Sequence, residues 1–207
     1  MIGKISNYIV DKILYKNENI SEEKREIMIF GITRIVEDLP KYVIIFVTCL
    51  VLGFLKELLI VFVFGLSYKT FLGGAHAKTN VECTIYSLIM FLVPIFVSAY
   101  IDFKFNIFTT IILVLNYIFG MILLIFTAPN DTAEIPIISK SRRKRLKICG
   151  IIMFNLIYIS FIFLDIKNIV LISTTLFIIN IYASNLMYKI LKCTKGKDSE
   201  EYSHLYN

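Results

Sequence analysis

Charged residues are scarce in this sequence, and two long stretches contain none. Only 18% of the 207 residues are Asp, Glu, Lys or Arg, and residues 106–127 and 168–188 carry no charge. An uncharged apolar stretch of about 20 residues is long enough to cross a membrane as a helix. The chain is 57% hydrophobic with a mean hydropathy of +0.73, which excludes an ordinary soluble domain. We therefore predict an integral membrane protein.

The sequence also lacks the spacings that signal metal sites and disulfide frameworks. Its four cysteines lie far apart and form no C-x-x-C pair: Cys49, Cys83, Cys149 and Cys193. This pattern favours neither a zinc site nor a set of disulfides, and we expect no bound metal. The net charge of +6 does not by itself indicate nucleic-acid binding, because basic residues in a membrane protein first reflect topology.

The first 40 residues differ from the rest of the chain. Isoleucines recur at helical spacing in residues 2–14, which predicts an amphipathic helix on the membrane surface. A second helix is expected to begin at Ser21 and to stop at Leu39, because Pro40 follows. Charged residues interrupt every apolar run near the amino terminus, so we expect no cleavable signal peptide.

Six apolar segments follow, and we predict an all-α, polytopic membrane protein. They cover about residues 42–55, 58–72, 83–100, 106–127, 148–164 and 168–188. The first two are short, which implies tilted or re-entrant helices. We expect one membrane-embedded domain over residues 1–207, with interfacial helices in 1–40, a membrane region in 41–192 and a flexible cytoplasmic tail in 193–207.

Lysine and arginine positions orient this arrangement in the membrane. With six segments and a cytoplasmic amino terminus, all but three of the 22 basic residues fall on the cytoplasmic side. The exceptions lie in the three outer turns: Lys56, Lys104 and Lys167. Cytoplasmic loops are enriched in Lys and Arg, so we predict that both termini are cytoplasmic in a bacterial cell membrane.

The stretch GGAHAKTNVEC, residues 73–83, interrupts the apolar pattern on the predicted cytoplasmic side. It contains His76, one of only two histidines, and Cys83. An imidazole beside a thiol favours the thiolate, which is the nucleophilic form. The pair is therefore a candidate catalytic site, and the alternative is an interfacial histidine and a buried thiol without a chemical role.

His76 and Cys83 would stand too far apart if one straight helix contained both. Seven residues separate them by about 10.5 Å along a helix axis, which is beyond the reach of direct proton transfer. Thr79 and Glu82 form the T-x-x-E pattern of a capping box. We therefore predict that a helix starts at Thr79, with Cys83 early in that helix and His76 before its cap.

Gly73 and Gly74 are interpreted as a hinge that lets His76 fold back toward the sulfur. Glycine permits close backbone approach, so the pair could also admit a substrate backbone. The alternative is a packing feature. Four uncharged polar side chains in the apolar segments are expected to hydrogen-bond between helices: Asn116, Asn155, Asn180 and Asn185.

These residues resemble the accessory gene regulator B (AgrB) family, membrane-embedded cysteine peptidases of bacterial quorum sensing. The resemblance rests on GGAHAKTNVEC, on TAPNDTAEIPI followed by a basic run, and on the order of the apolar segments along nearly the whole chain. Many family members carry arginine shortly before the glycine pair, where this chain has Lys69. The family implies a homodimer and no cofactor.

By this resemblance, Cys83 would be the nucleophile and His76 the general base. The implied substrate is an AgrD-type precursor with an amphipathic leader, a core containing cysteine or serine, and an acidic tail. Cys83 would cleave between core and tail and hold the core as a thioester, which the peptide's own thiol or hydroxyl would convert to a thiolactone or lactone. Backbone amides from Thr79 to Glu82 are our expected oxyanion site.

A basic run after the TAPNDTAEIPI stretch lies on the same predicted side as Cys83. Its members could attract an acidic tail: Arg142, Arg143, Lys144 and Arg145. The alternative is that they serve only to set the topology.

Two other kinds of membrane protein are alternatives to the peptidase. A small transporter or peptide exporter would use His76 and Cys83 only for packing, and it would be expected to show intramembrane charges and repeat symmetry. A metal permease would use the two residues as ligands, but two ligands are too few for a zinc-type site.

Overall fold

Helices form almost all of the regular structure, as the sequence predicts. The structure is a computed structural model that describes residues 2–14, 21–77, 79–133 and 136–198. Its helices are α1 (Ile2–Leu14), α2 (Glu22–Val51), α3 (Leu55–Leu72), α4 (Asn80–Tyr100), α5 (Ile107–Phe126), α6 (Lys140–Ser160), α7 (Ile166–Ala183) and α8 (Asn185–Ile190), with 3₁₀ turns at Phe161–Phe163 and Gly196–Asp198. No strand forms within the described ranges. The all-α prediction is therefore confirmed.

Four helices of the described chain are long and apolar enough to cross a membrane. They are Asn80–Tyr100, Ile107–Phe126, Lys140–Phe163 and Ile166–Ala183, and they correspond to the last four predicted segments. These helices indicate a membrane protein.

The first two predicted segments, 42–55 and 58–72, are not among these four candidate spans. The second of them lies within α3, which carries Lys56, Glu57 and Lys69 in 18 residues and is too highly charged to qualify. The prediction of six membrane segments is therefore not confirmed.

α2 begins where the sequence predicts but ends later. The backbone N–H of Arg25 donates to the carbonyl oxygen of Ser21 at 3.1 Å, at the expected helix start. The predicted end at Leu39 is wrong, because Pro40 lies inside the helix. A proline removes one N–H donor from the ladder, and the apolar residues after Pro40 contain no turn former before Gly53. The lost hydrogen bond is therefore insufficient to end a 30-residue helix.

The chain divides into two compact units, residues 1–51 and 52–207. In the first unit α1 packs against α2 and buries Ser6 and Val10. Arg25 of α2 forms an ion pair with Asp11 of α1 at 2.8 Å. Ile5 in α1 remains exposed, and the placement of these helices on a membrane surface stays a prediction.

In the second unit α7 is the central helix. It packs against α3, α4 and α5 and has the most buried side chains of any helix described. Three of the four predicted asparagine contacts between helices are confirmed: Asn116 Nδ2 to the Ser173 carbonyl (2.8 Å), Tyr117 OH to Asn155 Oδ1 (2.9 Å) and Tyr68 OH to Asn180 Oδ1 (2.7 Å). Asn185 instead accepts a hydrogen bond from Lys195 in the carboxyl-terminal segment.

The helices of the second unit bring distant loops together at the two ends of the bundle. At one end, Lys167 in the first turn of α7 forms an ion pair with Glu57 of α3 at 3.3 Å. At the other end, the segments 73–79, 127–139 and 184–198 meet through backbone and side-chain hydrogen bonds. Of the tail predicted to be flexible, residues 193–198 lie at this end, and residues 199–207, including His204, fall outside the described chain. The site lies here.

Candidate active site

A complete capping box starts α4 at the predicted position. The Thr79 hydroxyl accepts from the Glu82 backbone N–H at 3.2 Å, and a Glu82 carboxylate oxygen accepts from the Thr79 N–H at 3.3 Å. α4 then runs from Asn80, and Cys83 lies in its first turn. The helix start therefore separates His76 from Cys83, and the partial positive charge of the helix end lies near the thiol.

The capping box also uses some of the amides that were expected to bind an oxyanion. The N–H groups of Thr79 and Glu82 serve the box, and the N–H of Cys83 donates to the Thr79 carbonyl at 3.0 Å. The N–H groups of Asn80 and Val81 make no hydrogen bond to any residue that the structure describes. Only these two of the expected amides are left for a ligand.

Residues 73–79, here called the His76 loop, connect α3 to α4. The loop begins at Gly73, whose φ of +73° is a conformation that L side chains rarely adopt. Asn130 lies against it: its N–H donates to the Leu72 carbonyl at 2.8 Å, and its carbonyl accepts from the Gly74 N–H at 3.1 Å. A Cβ atom on Gly73 would lie 1.9 Å from the Asn130 oxygen. Only glycine fits at this position.

The second glycine meets the end of α7. A Cβ atom on Gly74 would lie 3.2 Å from the Tyr182 carbonyl oxygen, and the next residue, Ala75, donates its N–H to that oxygen at 3.0 Å. The backbone that approaches the glycine pair is therefore the protein's own. Gly73 and Gly74 hold the His76 loop between two neighbouring segments, and their role as a hinge stays a prediction.

His76 and Cys83 line one pocket, which is open to solvent. His76 is exposed and Cys83 is half-buried. The remaining lining residues are Lys69, Ala75, Ala77, Tyr86, Ser87, Met90, Tyr182 and Leu191. The structure thus brings the two residues singled out from the sequence to the same small cavity. A general base and a nucleophile in one such pocket are the minimum requirement for nucleophilic catalysis.

Several pocket residues were not singled out from the sequence. Tyr86, Ser87 and Met90 follow Cys83 at helical spacing, so they share its face of α4 and could have been found from that spacing. Tyr182 belongs to α7, and its hydroxyl donates to the Tyr86 carbonyl at 3.3 Å while the two rings pack edge to face. Only the folded chain identifies Tyr182. The aromatic pair forms an apolar wall of the pocket.

Lys69 supplies a positive charge to the pocket lining. It lies in the last turn of α3, and its ammonium nitrogen is 3.9 Å from the Met90 sulfur. The side chain is half-buried, so its charge is less screened by water than that of a surface lysine. A cation here can stabilise negative charge that develops on a bound substrate.

The predicted substrate-binding residues of the basic run separate into two groups. Arg142, Lys144 and Arg145 are exposed near the start of α6. Arg143 instead turns inward, forms an ion pair with Asp131 at 2.9 Å and donates to the Pro129 carbonyl at 3.1 Å. None of the four lines the pocket. Arg143 therefore has a structural partner within the chain, and the other three remain available at the surface.

Asp131 lies in the loop after α5 and is a buried carboxylate. Its side chain is 4% exposed and accepts hydrogen bonds from the Ile137 N–H at 2.8 Å and from Arg143. Its backbone carbonyl accepts from the Tyr188 hydroxyl at 3.0 Å. Burial raises the pKa of the Tyr188 phenol, so this donor keeps its proton at neutral pH.

In the part of the chain that the structure describes, the cysteines and the metal-ligating side chains form no second candidate site. None of the four cysteines forms a disulfide. Within the described ranges, no group of three or more His, Cys, Asp or Glu side chains is placed to hold a metal ion.

Comparison with known proteins agrees with the motifs of the site. The accessory gene regulator B family model matches residues 3–191, nearly the whole chain. The chain belongs to this family. AgrB-like protein 2 of Clostridium perfringens is 27% identical over 176 residues, covering 83% of this chain and 78% of the relative. The AgrB-like protein of Listeria monocytogenes serovar 1/2a is 28% identical over 194 residues, covering 91% of each. No solved structure matches the chain.

Family membership gives the general role of the protein. The AgrB family is known for peptidase activity and acts in the processing of autoinducer peptides. It implies a propeptide of the AgrD type as the substrate. Family membership and the four apolar helices together indicate a membrane protein that acts in the processing of quorum-sensing peptides.

The close contact at Gly73 can be tested by comparison with Gly53. Both have φ near +75°, at +73° and +77°, but a Cβ atom on Gly53 would meet nothing within 4 Å. Both Gly73→Ala and Gly53→Ala therefore introduce backbone strain, because L side chains rarely adopt a positive φ. Gly73→Ala should cost about 2 kcal/mol more, because it disrupts two hydrogen bonds to Asn130. Unfolding of the purified protein in detergent measures both, and equal losses would contradict the Asn130 contact.

Proposed function

We propose that this protein is a membrane cysteine endopeptidase that removes the carboxyl-terminal tail of an AgrD-type precursor and promotes cyclisation of the remaining peptide. The observation that supports it most is the pocket lined by both His76 and Cys83. The membership of the AgrB family agrees with this assignment. In this role Cys83 is the nucleophile and His76 is the general base.

The first step cleaves the precursor between its core and its tail. His76 accepts the proton of the Cys83 thiol, and the thiolate attacks the carbonyl carbon of the peptide bond between core and tail. As the tetrahedral intermediate collapses, His76 returns the proton to the leaving amine. The C–N bond breaks, the tail leaves with a new amino terminus, and the core stays bound to Cys83 as a thioester. The step requires no cofactor, because peptide bond and thiol supply all the atoms.

The second step closes the ring. A thiol or hydroxyl within the core loses its proton to His76 and attacks the thioester carbonyl. The bond to Cys83 breaks, the sulfur regains a proton, and a thiolactone or lactone forms. Thioester and thiolactone are similar in energy, so release of the acidic tail favours the overall reaction. Water is the competing nucleophile, and a bound core that covers the pocket lowers its access.

Negative charge develops on the substrate oxygen in both steps, and two groups of donors are candidates to stabilise it. The ammonium group of Lys69 lies in the pocket lining. The N–H groups of Asn80 and Val81 make no hydrogen bond within the described chain and lie at the positive end of α4. Both assignments follow from the requirement for donors where the oxyanion forms.

Binding of the precursor would use surfaces outside the pocket. The exposed side chains Arg142, Lys144 and Arg145 can attract the acidic tail. The amphipathic leader would lie at the membrane surface, where apolar burial holds such a helix. In the topology predicted from the Lys and Arg distribution, the scissile bond would lie at the cytoplasmic face.

The peptidase assignment predicts the behaviour of two active-site variants. Cys83→Ser and His76→Ala should insert in the membrane normally, yet shorten a co-expressed precursor at least about 100-fold more slowly, because each removes a group that takes part in proton or acyl transfer. Mass spectrometry of the peptide measures truncation. Cys149→Ser, at an exposed cysteine of α6, is the matched control and should be fully active. Truncated peptide from Cys83→Ala cells would show that another residue is the nucleophile.

The topology predicts which side of the membrane exposes Cys83. A membrane-impermeant maleimide should modify this thiol in inside-out vesicles and leave it unmodified in intact cells, because charge distribution places the His76 loop in the cytoplasm. Mass spectrometry of the fragment containing Cys83 distinguishes it from the other cysteines. Modification of Cys83 in intact cells would contradict the proposed orientation.

The three exposed basic residues predict a charge-dependent KM. Replacing Arg142, Lys144 and Arg145 together by Gln should raise KM for the precursor about fivefold at low salt, since each exposed ion pair contributes about 0.3 kcal/mol. The difference should shrink as salt is added. Lys56→Gln with Lys104→Gln, at the opposite end of the helices, is the control. An unchanged KM would remove these residues from tail binding.

A further inference from the structure

The His76 loop is shaped by contacts with a segment distant in the sequence. Residues 127–133, here called the Asn130 loop, follow α5. Through its N–H and carbonyl groups, Asn130 binds the residues on both sides of Gly73, at 2.8 and 3.1 Å. His76 lies two residues beyond Gly74. The direction in which the chain leaves α3 therefore depends on where Asn130 stands.

The Asn130 loop has no helix or strand of its own, and Asp131 determines its shape. The Asp131 carboxylate accepts from the Ile137 N–H at 2.8 Å and from Arg143 at 2.9 Å. The same guanidinium donates to the Pro129 carbonyl at 3.1 Å. The residues on both sides of Asn130 are thus bound to one guanidinium at the start of α6. A planar guanidinium can make both contacts at once, and a lysine ammonium is less suited to this.

The ion pair lies apart from the pocket. The Asp131 side chain is 4% exposed and that of Arg143 is 23% exposed, and neither lines the cavity that contains His76 and Cys83. A buried carboxylate needs its cationic partner, because loss of either charge leaves the other without compensation. The backbone contacts that connect this pair to the His76 loop run through Asn130 and the glycine pair.

We infer that Asp131, through its ion pair with Arg143, is a positioning residue for His76, and this inference rests on the proposed peptidase function. The contacts run from α6 to Asp131, then to Asn130, and from there to Gly73 and Gly74. Without the ion pair, Asn130 loses its fixed position and the His76 loop can move away from the thiol. Neither charged residue touches the substrate.

Reactivity of the Cys83 thiol measures the position of His76 without requiring turnover. The full-length chain in lipid nanodiscs is treated with iodoacetamide between pH 5 and 9, and mass spectrometry follows alkylation of the fragment containing Cys83. An imidazole close to the thiol makes it reactive at lower pH. In Asp131→Asn alkylation at pH 7 should be about tenfold slower, because the thiol then lacks a nearby imidazole to take its proton.

Three further variants make the comparison specific. His76→Ala is the reference for a thiol without its base, and the Asp131→Asn profile should move toward it. Lys189→Gln changes an exposed cation of α8 and should leave the profile as in the original protein. Arg143→Met should act like Asp131→Asn, and the double variant should show no further shift, because both changes break one contact. Arg143→Lys keeps the charge and should restore part of the reactivity.

The outcomes separate this inference from the proposed function. If His76→Ala alters the profile and both Asp131→Asn and Arg143→Met leave it unchanged, the positioning role is wrong while the dyad stands. If His76→Ala itself has no effect, the dyad and with it the proposed function fail. Where Asp131→Asn does not fold by gel filtration, Arg143→Met decides, because it removes the charge, and a profile identical to that of the original protein would overturn the inference.

Discussion

The contact between Asn130 and the residues around Gly73 is the constraint on which the arrangement of the site depends. Two backbone hydrogen bonds and an approach that leaves no room for a Cβ atom hold the end of α3 against the Asn130 loop. The chain leaves this contact toward Tyr182 and then enters the capping box. His76 and Cys83 thereby reach one pocket from opposite sides of a helix start.

The charged side chains around this contact differ in burial and in their partners. Asp131 and Arg143 are turned inward, and their ion pair shapes the Asn130 loop. Lys69 is half-buried in the pocket lining, where water screens its charge less than at the surface. The remaining basic residues at the start of α6 face water, where a single ion pair contributes little free energy. The site therefore combines a rigid polar frame with a small, partly apolar cavity.

Local patterns in the sequence predicted local structure well. The T-x-x-E pattern at Thr79 forms the expected capping box, because both of its hydrogen bonds lie within four residues. Three asparagines bond between helices, since a polar group among apolar segments must find a partner. The predicted helix end at Leu39 was wrong, because a single proline removes one hydrogen bond from a helix that keeps the others.

The sequence by itself determined the class of the protein, the helix start before Cys83 and the two residues that carry the proposed chemistry. These follow from composition and from short-range spacing, which act within one segment. The tertiary structure alone decided that Arg143 pairs with Asp131, that the glycines pack against Asn130 and Tyr182, and which residues surround the thiol. Those contacts join segments far apart in the chain, and their energies arise only when the helices pack and water is excluded.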